Sequence, residues 1–378
     1  MMTAYLDNSA TTQPMMAVVR AMEASMTEGF YNPSSLYSPG LSARKKIEEC
    51  RTLIKDGWKA SGVIFTSGGT EANNLAVLGR MNETKGHKKV LFSKAEHQAV
   101  SESCLSLSGE HDVISISLHK DGTLDLDDLI RLMNGDTSLI CVMQVNNEVG
   151  AIQPIEEVIK LRDRMCPDAA IHIDGVQGFL RLPVSMTDGI DSYAISAHKI
   201  HGPKGVGALL LGKRNRLKPM FFGGGQEKGL RSGTENTPGI AGMEAAIRNY
   251  PNTHNMRNKK LKLLELIRDG VPDVFVNGPD PKSLKACDHI LNLSFPPVRS
   301  ETLMHALEGQ GVYVSHGSAC SSRKRVPSAV LSAMGLSKAR MDSAIRFSLC
   351  PFTTSEEIAY AAIVCISAYK SLYKYIRK

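Results

Sequence analysis

The sequence predicts an α/β protein with a mostly parallel central sheet, helices on both faces of that sheet, and a smaller α+β domain. Short apolar runs alternate with helical patterns between about residues 60 and 215, which is typical of strand–helix–strand units. The run at residues 139–143 is apolar throughout, as expected for a strand that is buried on both faces. Beyond about residue 250 this alternation stops, which indicates a second kind of architecture.

The individual elements follow from the same patterns. In the first part we predict strands at residues 63–66, 90–92, 139–143, 171–173, 193–195 and 208–211, and helices at 71–80 and 155–164. In the second part we predict helices at 259–268, 301–307 and 355–375 and a strand at 290–294. We therefore place a large domain at residues 15–250 and a small domain at residues 1–14 and 251–378.

The composition is that of an ordinary globular protein. The net charge is +7, and we interpret the basic residues near the C-terminus as a solvated helix face, with attraction to an acidic partner as the alternative. The sequence shows neither a signal peptide nor an apolar run near the roughly 20 residues that span a bilayer. We therefore predict a cytoplasmic protein that binds neither membrane nor nucleic acid directly. Its eight scattered cysteines are predicted to be reduced thiols.

Two segments that follow predicted strands suit an anionic aromatic ligand. Residues 66–71, Thr-Ser-Gly-Gly-Thr-Glu, open a helix, and a helix start beside glycines is a natural phosphate seat. The alternative is a glycine turn with Thr70 as a cap. Asp174 ends a buried strand, so its carboxylate needs a partner, such as a protonated ring nitrogen. The alternative there is a salt-bridged strand end.

Lys199 is the candidate lysine for a Schiff base. It follows a predicted strand by a few residues, and Ser196 and His198 beside it are able to donate to a phosphate. The alternative is a surface loop with a chance lysine. His198 and His201 have a spacing that metal sites use, but no third ligand is evident, so we predict no metal.

Cys320 has the best context for reactivity among the cysteines. Small residues surround it, and Arg323, Lys324 and Arg325 follow closely. Nearby positive charge stabilises a thiolate, and small neighbours favour a mobile loop. The alternative is an inert loop cysteine.

Together these segments resemble the cysteine desulfurases of the class V aminotransferase family, which are fold type I enzymes that depend on pyridoxal 5'-phosphate (PLP). The resemblance covers nearly the whole chain and runs in order through residues 5–12, 32–35, 96–97, 145–150, 231–236 and 345–348. The combination of Arg-Ser-Gly-Thr with Gly-Ser-Ala-Cys resembles the first of the two desulfurase groups. That group carries its thiol on a long mobile loop.

The resemblance implies a role for each matching residue. Lys199 would hold PLP and act as the base, Cys320 would receive the sulfur, and His97 would stack on the cofactor ring and move protons. Asp174 would pair with the ring nitrogen and Gln177 with the ring hydroxyl. The phosphate of PLP would be bound by Gly69, Thr70, Ser196 and His198. Thr234 would reach the phosphate of the neighbouring subunit in a homodimer. Arg346 would bind the substrate carboxylate with help from Asn147, which would also contact the cofactor.

The implied reaction converts L-cysteine to L-alanine and leaves a persulfide on Cys320 for an acceptor protein. The basic stretch at residues 323–327 and the end of the chain at Lys378 resemble shorter desulfurases that supply a tRNA 4-thiouridine synthetase. An iron–sulfur scaffold is the other expected acceptor. A class V aminotransferase acting on serine or phosphoserine, a selenocysteine lyase and a non-enzymatic scaffold with a PLP fold are the competing interpretations.

Overall fold

The computed structural model describes residues 2–316 and 328–376. Its main feature is a seven-stranded sheet with the order β2-β8-β7-β6-β5-β3-β4. Every neighbouring pair in this sheet is parallel except those that β8 makes with β2 and β7. The strands are β2 (Gly62–Thr66), β3 (Lys89–Ser93), β4 (Asp112–Ile116), β5 (Thr137–Met143), β6 (Ala170–Asp174), β7 (Ser192–Ser196) and β8 (Gly207–Leu211). The predicted α/β class and mostly parallel sheet are confirmed.

Both faces of this sheet are covered, as shown by successive residues of one strand that belong to different apolar clusters. In β2, Val63 and Phe65 belong to the largest cluster, whereas Ile64 packs with the helix that follows the strand. Burial on both faces explains why these strands are continuous apolar runs. The helices of this part are α1 (Met16–Thr27), α2 (Ser38–Gly57), α3 (Gly69–Glu83), α4 (Gln98–Leu105), α5 (Leu126–Leu132), α6 (Ile155–Met165) and α7 (Thr237–Arg248).

The rest of the chain forms two smaller sheets. One has the order β12-β10-β9 and is antiparallel, and the other pairs β1 with β11 in parallel. Their strands are β1 (Ala4–Tyr5), β9 (Phe275–Asn277), β10 (Ile290–Ser294), β11 (Val312–Tyr313) and β12 (Ala344–Ser348). The helices are α8 (Met256–Gly270), α9 (Ser300–Glu308), α10 (Ala329–Ala333), α11 (Lys338–Asp342) and α12 (Ser355–Ile376).

Two large apolar clusters divide the chain near the predicted boundary. One contains residues between Val18 and Ala246, and the other combines Ala4 and Leu6 with residues between Leu263 and Tyr369. The division favours the predicted domains, whose boundaries stay a prediction. Within the described residues, none of the helices has both the length and the apolar character needed to cross a membrane.

The arrangement of the large sheet determines where polar side chains meet. Strands β2, β3, β5, β6 and β7 run in the same direction, so their carboxyl ends lie at one edge. Ligands of such sheets bind beyond this edge. The antiparallel direction of β8 has a simple cause: only residues 197–206 separate it from β7, which is short for a parallel crossover.

Candidate active site

A cavity of about 220 Å³ lies beyond the carboxyl ends of these strands. The structure brings ten of the twelve predicted site residues together in its wall: Gly69, Thr70, His97, Asn147, Asp174, Gln177, Ser196, His198, Lys199 and Arg346. Most of them follow a strand of the large sheet, whereas Arg346 comes from β12 of the small sheet. The cavity therefore lies where the two parts of the chain face each other.

Lys199 ends a short turn that follows β7, and its ammonium group is held by the N-terminal segment. Nζ donates to the carbonyl oxygens of Ser9 at 2.6 Å and Ala10 at 2.7 Å. Both acceptors are backbone carbonyl groups, and they orient the lysine side chain in the cavity wall. Sequence reasoning assigned no role to Ser9 and Ala10, because a backbone carbonyl has no signature in a sequence.

Asp174 ends β6 and is buried, and two neutral groups fix its carboxylate. Oδ2 accepts from Asn73 Nδ2 at 2.8 Å, and Oδ1 accepts from the backbone N–H of Val176 at 3.0 Å. A cation in the cavity would complete the pairing of this buried charge. Asn73 was missed by sequence reasoning, since an asparagine inside a helix carries no signal of its own.

His172, on the same strand as Asp174, sets the orientation of Asn73. Its Nε2 lies 2.9 Å from Asn73 Oδ1, and its Nδ1 lies 2.9 Å from Ser192 Oγ. Burial lowers the pKa of His172 to about 3, so the ring is neutral at physiological pH. Because Asn73 donates to Asp174 through Nδ2, its Oδ1 accepts the Nε2 proton of His172. The hydrogen bond from His172 therefore directs the Asn73 amide N–H towards the Asp174 carboxylate.

This arrangement predicts a pH-dependent contribution to stability. The unfolded chain protonates His172 near pH 6.5 and the folded chain only near pH 3, so stability falls as the pH decreases between these values. From about pH 7 to about pH 5 the wild type should lose about 2 kcal/mol more than His172→Gln. Denaturant unfolding at both pH values measures this difference. The exposed His254→Gln serves as the control and should follow the wild type; equal slopes for all three proteins would contradict the prediction.

The wall next to Lys199 is built to hold an anion. Helix α3 starts at Gly69 without a side-chain cap, so the N–H groups of its first turn face the cavity. A Cβ on Gly69 would lie 2.9 Å from Val176 Cγ2, so a larger residue would force the helix start and Val176 apart. Burial and the charges of Lys199 and Lys204 lower the pKa of His198 to about 4, which leaves its ring neutral.

His97 precedes α4 and caps it. Its Nδ1 accepts from the backbone N–H of Ala99 at 3.1 Å. The proton of the neutral ring must therefore sit on Nε2, the nitrogen that is not used by the cap. The cap fixes both the tautomer and the direction of a side chain in the cavity wall.

Gln177 is also held in one orientation. Its Nε2 donates to the Ser9 carbonyl at 3.1 Å, and its Oε1 lies 3.3 Å from His289 Nε2. Burial lowers the pKa of His289 well below its usual value, so this neutral ring donates from Nε2. His289 was not among the predicted residues.

Arg346 is buried and held by two oxygen atoms. Nη2 donates to Asp7 Oδ1 at 2.7 Å, and Nη1 donates to the Asn147 carbonyl at 2.9 Å. Its Nε is buried without a hydrogen-bond partner among the described residues. A planar guanidinium with donors left over, fixed in a cavity wall, suits a carboxylate ligand.

Two predicted residues lie elsewhere. Thr234 is exposed and lies in a different pocket, with Arg231 and Gly233. Cys320 lies outside the described residues. All seven cysteines that the structure describes are buried. Burial raises the thiol pKa of five of them: Cys50, Cys141, Cys166, Cys287 and Cys365.

The residues in the cavity fit PLP. The uncapped helix start suits its phosphate, the neutral donors on Asp174 leave that carboxylate able to pair with a protonated ring nitrogen, and Lys199 is within the same wall. The buried hydroxyl of Ser9, also in this wall, has no partner among the described residues, as expected where a polar ligand sits.

Comparison with known proteins points to the same chemistry. The family model for class V aminotransferases matches residues 4–360. A cysteine desulfurase, IscS, of Dictyoglomus turgidum is 39% identical over 99% of this chain and 98% of its own length. Among solved structures, a NifS-like protein superimposes with a TM-score of 0.88 at 32% identity, covering 98% of this chain and 100% of that one. A structure described as SspA in complex with cysteine matches with a TM-score of 0.82 at 30% identity, covering 93% and 100%.

Proposed function

The chain belongs to the class V aminotransferases, as a PLP-dependent cysteine desulfurase, and we propose that it stores the sulfur of free L-cysteine as a persulfide on Cys320 and passes it to a protein acceptor. The observation that carries the proposal is the shared cavity of Lys199, Asp174, His97 and Arg346. A lysine, a carboxylate at a strand end, a proton carrier and a carboxylate clamp are what an amino-acid substrate needs on such a cofactor.

We propose that the phosphate of PLP is held by the first turn of α3 with Ser196 and His198, its ring nitrogen by Asp174, and its ring hydroxyl by Gln177. When bound, PLP supplies an electron sink that stabilises negative charge at the substrate α-carbon. Asp174 supports this by favouring the protonated ring nitrogen, and Asn73 and His172 keep its carboxylate aimed at that position.

Arg346 and Asn147 orient the substrate through its carboxylate. The guanidinium is already fixed by Asp7 and by the Asn147 carbonyl, so little rotamer freedom is lost when a ligand binds. Once the substrate is in place, Lys199 removes the α-proton as general base. His97 lines the same cavity and, with its proton on Nε2, is proposed to move protons there.

The sulfur then moves to Cys320. Its thiolate attacks the sulfur of the substrate, an S–S bond forms, and the C–S bond breaks with its electron pair staying on carbon. Protonation of that carbon gives alanine. The described cysteines are poor candidates for the nucleophile, because they are buried and most have raised thiol pKa values.

The finer parts of the proposal are the assembly, the acceptor and the compartment. We propose a cytoplasmic homodimer in which the exposed Thr234 reaches the phosphate of the neighbouring subunit. The acceptor is a tRNA 4-thiouridine synthetase-like protein or an iron–sulfur scaffold, as the basic residues after Cys320 and the family resemblance respectively suggest. Sulfur transfer from the loaded chain to each purified acceptor distinguishes the two.

Mass spectrometry tests the central proposal directly. After incubation of the PLP-loaded chain with L-cysteine, we expect L-alanine in solution and one additional sulfur on the peptide that contains Cys320. A keto acid without a modified peptide would indicate an aminotransferase, and a strong preference for selenocysteine would indicate a lyase. Absence of any product would support a scaffold. Each of these three outcomes would overturn the proposal.

A further inference from the structure

Ser315 and Ser328, two described residues on either side of Cys320 in the sequence, are bonded to the segments that carry Arg346 and hold its guanidinium. On one side, Ser315 pairs with Arg346 through two backbone hydrogen bonds, of 3.2 Å from Ser315 N and 2.7 Å from Arg346 N. On the other side, Ser328 Oγ donates to Glu148 Oε2. Glu148 directly follows Asn147, whose carbonyl holds Arg346. Before Cys320 the chain is thus bonded to the backbone of Arg346, and after Cys320 it is bonded to the residue that follows Asn147.

Glu148 is a rigid attachment point. Asn146 Oδ1 accepts from the Glu148 backbone N–H at 2.9 Å, and Asn292 Nδ2 donates to the Glu148 carbonyl at 3.0 Å. Its side chain is buried with 6% of the residue surface exposed, so its carboxylate depends on partners inside the protein. These two bonds fix the backbone of Glu148, from which the buried carboxylate reaches the Ser328 hydroxyl.

The charges around Glu148 indicate that this contact matters to the active site. Burial raises the pKa of Glu148, while the hydrogen bond from Ser328 and the positive charge of Arg346 oppose the increase. The Glu148 carboxyl group therefore interacts with the residue that is proposed to bind the substrate carboxylate. No function proposed above uses it.

Ser328 is fixed by more than this one bond. Its Oγ also accepts from the Leu331 backbone N–H at 3.1 Å, which caps α10. Val330 and Leu331 of α10 pack in an apolar cluster with Val149, the neighbour of Glu148. The Ser328 hydroxyl group thus forms a polar link between α10 and the segment that holds Arg346.

We propose that Glu148 is a positioning residue for sulfur transfer. Through its hydrogen bond with Ser328, it holds the chain that follows Cys320 near Arg346, the proposed clamp for the substrate carboxylate. The inference rests on the proposed function of Cys320. Cys320 is five residues after Ser315 and eight before Ser328 in the sequence. Fixing both ends confines the thiol to the neighbourhood of the substrate, which raises its effective concentration there.

Three variants separate this link from other roles. Glu148→Ala removes the acceptor. Ser328→Asp keeps an oxygen that accepts from Leu331 N–H but places no donor against Glu148, so the cap survives and the link does not. Ser328→Thr keeps both the donor and the cap. All three are loaded with PLP, and their melting temperatures identify any variant that does not fold.

Two rates are measured for each variant. The first is persulfide formation in a single turnover with L-cysteine, followed by quenching and mass spectrometry. The second is the exchange of the α-hydrogen of L-alanine in deuterated water, which needs Lys199 and the cofactor but not Cys320. We expect persulfide formation to fall about 10-fold or more in Glu148→Ala and Ser328→Asp, with exchange and the KM for cysteine little changed. Ser328→Thr should match the wild type.

Two outcomes would overturn the inference. An equal loss of both rates would show that Glu148 merely supports the cavity, and unchanged persulfide formation in a folded Ser328→Asp would show that the link has no role. If Glu148→Ala does not fold, Ser328→Asp alone decides between these outcomes. Failure of the proposed function is recognised separately, because the wild type itself would then carry no sulfur on Cys320.

Discussion

Replacement of Lys199 by alanine should lower the rate of alanine formation from L-cysteine by about 10³-fold or more, because the proposed base for the α-proton is lost. The structure places its Nζ in the cavity wall, between the Ser9 and Ala10 carbonyls and near Asp174 and Arg346. Those carbonyls border the cavity, so the change should cost only about 1 kcal/mol of folding free energy. The measurement is steady-state alanine formation by the PLP-loaded protein.

Lys199→Arg distinguishes the base from the positive charge. An arginine also donates to the Ser9 and Ala10 carbonyls, but its guanidinium does not lose a proton at accessible pH. We therefore expect Lys199→Arg to be nearly as inactive as Lys199→Ala, in both turnover and α-hydrogen exchange. The exposed Lys213→Ala is the matched control and should behave as the wild type. A Lys199→Arg variant with a near-normal rate would show that another group removes the proton.

Much of this site was predictable because its residues follow strands. The carboxyl ends of the parallel strands meet at one edge, so a polar residue after each apolar run is expected to lie near the others. Asp174 and Ser196 end β6 and β7, and Lys199 follows at once. The local sequence predicts polar residues at the strand ends, and the sheet topology brings those strand ends together. The prediction that these residues carry the chemistry rests on this agreement.

The contacts that hold these residues were not predictable in the same way. Asn73 and His172 are polar residues inside a helix and a strand, and neither carries a turn or cap signal. The isolated histidine within the apolar run Ile-His-Ile of β6 was a usable signal, since a buried ring nitrogen needs a partner. The bonds from Lys199 to Ser9 and Ala10 depend on backbone carbonyls distant in sequence, which no local pattern identifies.

The smaller sheets were predicted less completely for a related reason. β1 and β11 have only two residues each, and β12 places the buried Arg346 in the middle of an apolar strand. An arginine normally argues against burial, so the pattern of β12 misleads unless its partners Asp7 and Asn147 are known. In the large sheet, β4 was missed because it is a partly exposed edge strand that starts with Asp112.

Cys320→Ala should abolish turnover while leaving the chemistry of the cavity intact. We expect alanine formation from L-cysteine to fall by about 10³-fold or more, because the proposed nucleophile for the substrate sulfur is lost. The roles proposed for Arg346, Asp174 and Lys199 do not need the Cys320 thiol, so cysteine should still bind and the α-hydrogen of L-alanine should still exchange. Rapid-quench measurement of alanine and sulfide, together with the exchange rate, tests both parts.

A second cysteine variant tests whether the loss of turnover is specific to Cys320. Cys166→Ser changes a buried thiol whose pKa is raised by its surroundings, so it removes a sulfur atom without removing a thiolate. Its turnover should match the wild type. Loss of activity in both variants would point to general damage, and full activity in Cys320→Ala would show that the sulfur leaves without a protein nucleophile. If Cys320→Ala alone retains α-hydrogen exchange but loses turnover, the reaction must have two successive steps. Proton removal by Lys199 would then precede transfer of sulfur to the Cys320 thiolate.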